Sequence, residues 1–561
     1  MQNTQEITTD AAMLRPRGVS PVTVTALAAA IDGYVLSGSD STGADQASVT
    51  GVSIDSRSIH PGDLYAALPG ARFHGATFAH VAREAGACAV LTDSDGARII
   101  QEAGAHVPIL VADDPRSAVG TIAAQVYASQ PTDGTEMSLF AVTGTNGKTT
   151  TTYFVNSILQ ALGKTTGLIG TIEILAGDQR IPSTLTTPEA PTVHALLSVM
   201  RESGMTAAAM EVSSHAIEFR RVDGVRYDVA GFTNLTQDHL DLHGSMQAYF
   251  EVKAQLFTPE RAQRAVIVVS DEQDVWGLAM ARQARSHLGA ENVDVFAMRG
   301  GVAEDREDGS LRQGADWTLH SLHRRGIGHA FELIHRDGRS LRVSTGLPGE
   351  FNVANAALAV LMVLAAGVDH AVLQRALDDH DPLTTDVPGR MQLIGTEPTA
   401  VVDFAHNPDA LVRALTAVDP PEGGGRVILV FGATGDRDKT KRAVMGRIAA
   451  QEADVVIVSD DDPHGEDPAH IRAEVLAGAH ALVESGAARA AEIHEIVPRT
   501  VAIRSAVRMA GRQDSVIVAG RGHETTQDIA GVDHPLDDRV ELRAALDELH
   551  NGSQEGWGEP K

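Results

Sequence analysis

The stretch Leu139-Phe140-Ala141-Val142-Thr143-Gly144-Thr145-Asn146-Gly147-Lys148-Thr149-Thr150 decides the fold. An apolar run with β-formers leads straight into a glycine turn, and the turn ends in Lys-Thr and opens a helix over 151–162. A strand, a glycine-rich turn and a helix start in that order make a phosphate-binding loop. Backbone N–H groups and the helix N-terminus face the anion, the lysine reaches the terminal phosphates, and the threonine hydroxyl is suited to Mg2+. The spacing is compressed, because Val142 stands where the first glycine of G-x-x-x-x-G-K-[ST] belongs.

Outward from this loop, strand-like runs at 139–143, 207–212, 229–233 and 264–269 alternate with helical segments. That rhythm predicts βαβ units and a mostly parallel sheet. Upstream, 49–54, 87–91 and 107–111 read as strands, and 80–85 and 117–127 as helices. Downstream, 400–403, 426–431, 455–458 and 515–519 repeat the pattern. Polar, proline-containing stretches at 129–134 and 381–389 suit boundaries. The expected architecture is α/β in three domains, at 22–135, 136–385 and 386–550, the last Rossmann-like. Residues 1–20 are expected to fray, the tail after Asn551 to be disordered, and 299–316 to form a surface excursion.

A chain of 561 residues needs several cores. The net charge of −28 argues against a nucleic-acid partner, whose usual footprint is basic. The single cysteine, Cys88, excludes an internal disulfide and suits a reducing compartment. The absence of a signal-like or long apolar segment leads us to expect a cytoplasmic protein without a membrane span.

Polar clusters follow the strands. Glu211 falls at a strand's carboxyl end, where it either holds Mg2+ beside the loop or caps the next helix. Asp238, His239, Asp241 and His243 form either a metal or catalytic site or a polar turn. Asn352 and Asn355 share a helix face and either read a base edge or cap the helix. Lys253, on a helix at 246–256, carries no signal of its own. In the last block, clusters at 403–409, 431–439, 460–464 and 520–524 all follow strands, which predicts one crevice lined by loops.

In this order, T-G-T-N-G-K-T-T-T, M-E-V-S-S-H, F-T-N-L-x-x-D-H-L-D-x-H-G, F-N-x-x-N, P-G-R-M, D-F-A-H-N-P-D, G-D-R-D-x-x-K-R and G-x-G-H-E resemble the Mur ligase family of ATP-dependent amino-acid ligases, from about Val49 to Val540. The early Asp55-Ser56-Arg57 and Pro61-Gly62-Asp63-Leu64 resemble its branch that adds a diamino acid to UDP-N-acetylmuramoyl-L-alanyl-D-glutamate for peptidoglycan. The resemblance implies an N-terminal uridine-binding domain, a central ATP-binding domain and a C-terminal amino-acid-binding domain. It also implies a reaction through an acyl phosphate and a monomeric state.

By the same resemblance, Gly144, Thr145, Asn146, Gly147, Lys148, Thr149, Thr150, Asn352, Asn355, Arg390 and Asp403 bind ATP. Thr149, Glu211, His239 and a CO2-carbamylated Lys253 hold two Mg2+ ions, with Lys148, His239 and Lys253 catalytic. Ile54, Ser56, Thr186, Thr187, Ser213 and Arg221 hold the UDP-sugar dipeptide. Arg437, Asp461, Asp462, His464, Gly520 and Glu524 receive the amino acid.

The family's diaminopimelate motif is Asp-Asn-Pro-Arg, and here Asp461-Asp462-Pro463-His464 stands in its place. Loss of the arginine disfavours a distal carboxylate, and an added aspartate suits a bare side-chain ammonium. The expectation is therefore L-lysine or L-ornithine, with meso-diaminopimelate as the alternative. A folylpolyglutamate-synthase-type ligase is a remoter reading, which the Asp55-Ser56-Arg57 segment disfavours. A scaffold that has lost catalysis would lack Lys148, Glu211, His239 or Lys253, and all four are present.

Overall fold

The structure is a computed structural model that describes residues 14–36, 47–70, 72–131, 136–176, 179–298, 314–420 and 424–555. Three sheets carry the three domains of a mixed α/β chain.

The central sheet has eleven strands. Its middle runs Thr166–Ile169, Ala207–Glu211, Ser138–Thr143, Tyr227–Phe232, Ala262–Val269 and Val293–Ala297, all in parallel register. Burial on both faces is why these strands read as continuous apolar runs rather than alternating ones. On one face, helix Lys148–Ala161 and helix Glu350–Ala365 pack through Phe154, Ile158, Leu358 and Met362. The second helix is apolar almost all round because it is covered on all sides. On the other face lie helices Ala190–Glu202 and Val275–Leu288.

Both edges of this sheet turn antiparallel. Glu173–Ala176 and Gln179–Pro182 form a hairpin on one side, and Trp317–Arg325, Gly328–His335 and Ser340–Thr345 a meander on the other. The meander was not anticipated from sequence. Residues 299–313 lie outside the described residues, but the end of the expected excursion is interior. Asp316 is buried, pairs with Arg285 at 2.7 Å and accepts from Val295 N at 2.9 Å.

The N-terminal sheet runs Tyr34–Leu36, Ile109–Val111, Ala89–Thr92, Asp63–Ala66 and Gly51–Ser53, parallel except at its first edge. The expected strand over 49–54 is two short ones, Ser48–Val49 and Gly51–Ser53. Fraying does not extend through residue 20. Arg15 pairs with the buried Asp63 at 2.5 Å, and the backbone of Arg17 and Gly18 donates to Glu202 at 2.8 and 2.7 Å. The C-terminal sheet runs Gln392–Thr396, Thr399–Asp403, Ser515–Ala519, Val427–Phe431, Val455–Val458 and Glu492–Glu495, again parallel beyond its first edge. The last helix continues past Asn551 to Glu555, and the remaining tail lies outside the described residues. No helix among the described residues is long and apolar enough to cross a membrane.

Candidate active site

The carboxyl ends of the central and C-terminal sheets face one cleft of about 610 Å³. Open α/β sheets bind ligands at that end, because loops there diverge and helix N-termini point inward.

The glycine turn makes its wall. Gly144 and Gly147 adopt φ of +148° and +87°. A Cβ on Gly144 would strike Thr233 Oγ1, and one on Gly147 would strike Asn355 Oδ1, so only glycine lets the loop lie this close to its neighbours. Helix Lys148–Ala161 then starts with no side-chain cap and no acidic residue in its first turn. Its leading N–H groups therefore remain available to an anion, which is the chemistry a nucleotide phosphate requires. Lys148 Nζ donates to the carbonyls of Gly144 and Thr145 at 3.1 and 2.9 Å.

Glu211 is buried beside this turn. It accepts from Thr149 Oγ1 at 2.9 Å, Thr171 N at 2.7 Å and Thr171 Oγ1 at 3.0 Å. It has no ion-pair partner among the described residues, and a buried carboxylate in that position fits a divalent cation. The capping alternative for Glu211 fails, because Ser213 Oγ caps the next helix through Ala216 N at 3.1 Å.

His239 sits in a left-handed turn at φ 53°, with its ring 4.7 Å from His215. Burial lowers its pKa to about 4, so the imidazole is neutral and free to ligate a metal. Lys253 lies beneath, fully buried, donating to Gly144 O at 2.9 Å and facing the Tyr249 ring at 4.7 Å. Burial, and then the neighbouring Lys148, push its pKa well down. The residue that carried no signal in sequence is thus a desolvated amine, held toward the form that reacts with CO2. These donors fit Mg2+, and the cradle at Gly144 and Gly147 fits ATP.

Asn352 and Asn355 are buried under the turn and bonded to each other at 3.1 Å. Gly349 caps their helix without a side chain, so capping is not their role. Arg390 lies over the Phe404 ring at 4.3 Å and reaches Thr149 Oγ1 at 3.4 Å. Asp403 accepts from Met391 N at 2.6 Å, and burial raises its pKa to about 6.

On the acceptor side, Thr186, Ser213 and Arg221 line the cleft. Thr187 is buried behind them, donating to Glu211 O at 2.8 Å, and Arg221 pairs with Glu189 at 2.8 Å. Ile54 and Ser56 lie in the turn that follows strand Gly51–Ser53 of the N-terminal domain and do not line this cleft.

The far wall carries Arg437, Asp461, Asp462, His464, Gly520 and Glu524. One carboxylate oxygen each from Asp461, Asp462 and Glu524 lie within 4.8 Å of one another. Burial, and then Asp461, raise the pKa of Glu524 to about 8. Asp462 is not the bare anion expected from sequence. Its carboxylate pairs with Arg521, which is wholly buried, and accepts from Asp528 N at 3.2 Å. His464 is likewise engaged, with Nδ1 2.8 Å from Asp528 Oδ2. An aspartate already neutralised in this way gives no preference for the side-chain ammonium of lysine or ornithine.

Two residues have no place in the sequence reading: Thr171 grips Glu211 and Tyr249 covers Lys253. Asp409, at the end of the 403–409 cluster, accepts from Asn146 Nδ2 at 2.9 Å. Thr171, two residues past a strand end and next to a glycine, carried the same positional cue as Glu211.

Three family descriptions match this chain: "Mur ligase family, catalytic domain" at 48–127, "Mur ligase middle domain" at 142–363 and "Mur ligase, glutamate ligase domain" at 389–522. It is 42% identical to UDP-N-acetylmuramyl-tripeptide synthetase of Leifsonia xyli, over 91% of this chain and 93% of that protein. It is also 42% identical to UDP-N-acetylmuramoyl-L-alanyl-D-glutamate--2,6-diaminopimelate ligase of Streptomyces coelicolor, over 89% and 93%. A solved structure of a ligase with that same diaminopimelate name superposes with a TM-score of 0.63 at 30% identity, over 95% of this chain and 100% of that one. Likeness of this extent, over a cleft that brings a phosphate loop against a buried carboxylate, makes the chain a member of the Mur ligase family and an ATP-dependent amide ligase.

Proposed function

We propose that this protein joins meso-diaminopimelate to UDP-N-acetylmuramoyl-L-alanyl-D-glutamate, at the expense of ATP. The observation that supports it most is Glu211 held against the Gly144–Thr149 turn, with a carboxylate-rich wall across the same cleft. The choice of diaminopimelate over lysine or ornithine rests on the engagement of Asp462 by Arg521 and on the names of the Streptomyces protein and the superposed structure.

In this reading the turn and Lys148 hold the ATP phosphates, and Asn352, Asn355, Arg390 and Asp403 hold the rest of the nucleotide. Thr149, Glu211, His239 and a carbamylated Lys253 would hold Mg2+, which supplies charge neutralisation when bound. Lys148 steadies the phosphoryl group as it passes to the glutamyl carboxylate, and Arg390, beside Thr149, adds positive charge there. Phosphoryl transfer of this kind is mostly positioning and electrostatics. The amine of the incoming amino acid then attacks the acyl phosphate carbon. An amide forms, phosphate leaves, and the amine's proton goes to solvent or a nearby base. Glu524, with its raised pKa, is placed to exchange a proton with an arriving ammonium. Arg437 receives the α-carboxylate. Ile54, Ser56, Thr186, Thr187, Ser213 and Arg221 hold the UDP-sugar dipeptide. The segments 22–135, 136–385 and 386–550 serve the UDP-sugar, ATP and the amino acid in turn.

Incubation with ATP, Mg2+, the UDP-dipeptide and meso-diaminopimelate should yield ADP, phosphate and the UDP-tripeptide by mass spectrometry. ADP formation without a tripeptide would contradict the reading.

A further inference from the structure

We propose that Thr171 is a positioning residue that couples the metal–nucleotide side of the cleft to the acceptor side. It follows strand Thr166–Ile169 and approaches Glu211 through Gly170, where an added Cβ would lie 2.5 Å from Glu211 Oε1. The Thr171 backbone N–H takes one oxygen of that carboxylate at 2.7 Å, and its hydroxyl takes the other at 3.0 Å. Two donors from one residue fix the carboxylate in rotation as well as in place.

The same hydroxyl lies 3.1 Å from Thr186 Oγ1, on the loop that lines the acceptor side. A threonine hydroxyl carries one proton. Thr171 Oγ1 is placed as donor toward both Thr186 Oγ1 and Glu211 Oε2, so its single proton goes to one or the other and the two acceptors compete for it. Thr171 is thus where residues of the nucleotide and acceptor sides converge. A substrate that re-aims Thr186 changes the hydrogen bonding of Thr171 and hence the setting of Glu211. Such linkage is reciprocal: acceptor binding tightens Mg-nucleotide binding by the factor with which Mg-nucleotide tightens acceptor binding.

This inference rests on the assignment of ATP and the UDP-dipeptide to the two sides. Calorimetry with Mg2+ and a non-hydrolysable ATP analogue, with and without the UDP-dipeptide, tests both. Wild-type protein should bind the analogue about 5-fold tighter or more when the UDP-dipeptide is present. Thr171→Val, which keeps the shape and removes the hydroxyl, should bring that factor close to one, and Thr171→Ser should restore it. If Thr171→Val fails to fold, Thr186→Val removes the same contact from its other end. Wild-type binding of neither ligand would overturn the functional assignment itself. Binding of both without coupling, or coupling that survives in Thr171→Val, would overturn the role of Thr171 alone.

Discussion

Lys148 and Lys253 meet at one atom: both ammonium nitrogens donate to the carbonyl oxygen of Gly144, at 3.1 and 2.9 Å. Two cations on one acceptor in a buried site cost free energy unless one gives up its proton. Lys253 is the one that does, since it is the more enclosed and Lys148 adds to the effect of burial.

Lys253 therefore trades stability for function. Lys253→Met should abolish turnover while raising the melting temperature. A lysine whose folded pKa is depressed binds fewer protons folded than unfolded, so wild-type stability climbs as pH rises toward the ordinary lysine value. The advantage of the methionine variant should be greatest at neutral pH and vanish near pH 10.5, as thermal melts across pH will show. Intact-mass measurement in bicarbonate should find the mass of CO2 added to wild type and absent from the variant, and Lys253→Ala should regain some turnover with added short carboxylates.

Lys148 is predicted to act on phosphate alone. Lys148→Ala should lower kcat by about 10²–10³-fold, the usual cost of one transition-state donor, with the melting temperature nearly unchanged. Stopped-time ADP assays and thermal melts check the two halves.

The Asp462–Arg521 pair is predicted to be structural first. Arg521→Met strands a carboxylate in a buried cluster and should cost about 3–5 kcal/mol, measured by denaturant unfolding. Asp462→Asn leaves the choice of amino acid unchanged, because the charge it removes is already neutralised. A switch of preference in kcat/KM would contradict that.

Glu524 should give the fold a pH dependence of opposite sign to Lys253. Its folded pKa of about 8 lies above the ordinary 4.5, so the folded state holds the extra proton between them, and stability falls as pH rises through that window. Glu524→Gln removes the loss. Its melting temperature should exceed wild type by roughly 2 °C or more near pH 8.5, with the gap closing by pH 5. Binding of a cationic amino acid at pH 7 should release protons in wild type and not in the variant, as calorimetry in two buffers will show.

What was legible in the sequence was local. The Gly144–Thr149 turn directly follows a strand, Glu211 ends one, and His239 lies in the loop after a third, so chain order alone predicts where they fall. The parallel core was legible because its strands are buried on both faces. The Trp317–Thr345 meander was not, since its half-exposed strands carry charged residues among apolar ones. Pairings across the chain were not legible either. Arg521 reaches Asp462 from 59 positions away, and no local pattern separates a free aspartate from a neutralised one. Lys253 showed nothing, because the depressed pKa comes from the Gly144 turn packed over it.

The most direct test offers purified protein ATP, Mg2+ and UDP-N-acetylmuramoyl-L-alanyl-D-glutamate with meso-diaminopimelate, L-lysine or L-ornithine in separate reactions, and compares kcat/KM for phosphate release and tripeptide formation. The account predicts that diaminopimelate is used best by far. Turnover with lysine or ornithine and none with diaminopimelate would contradict it.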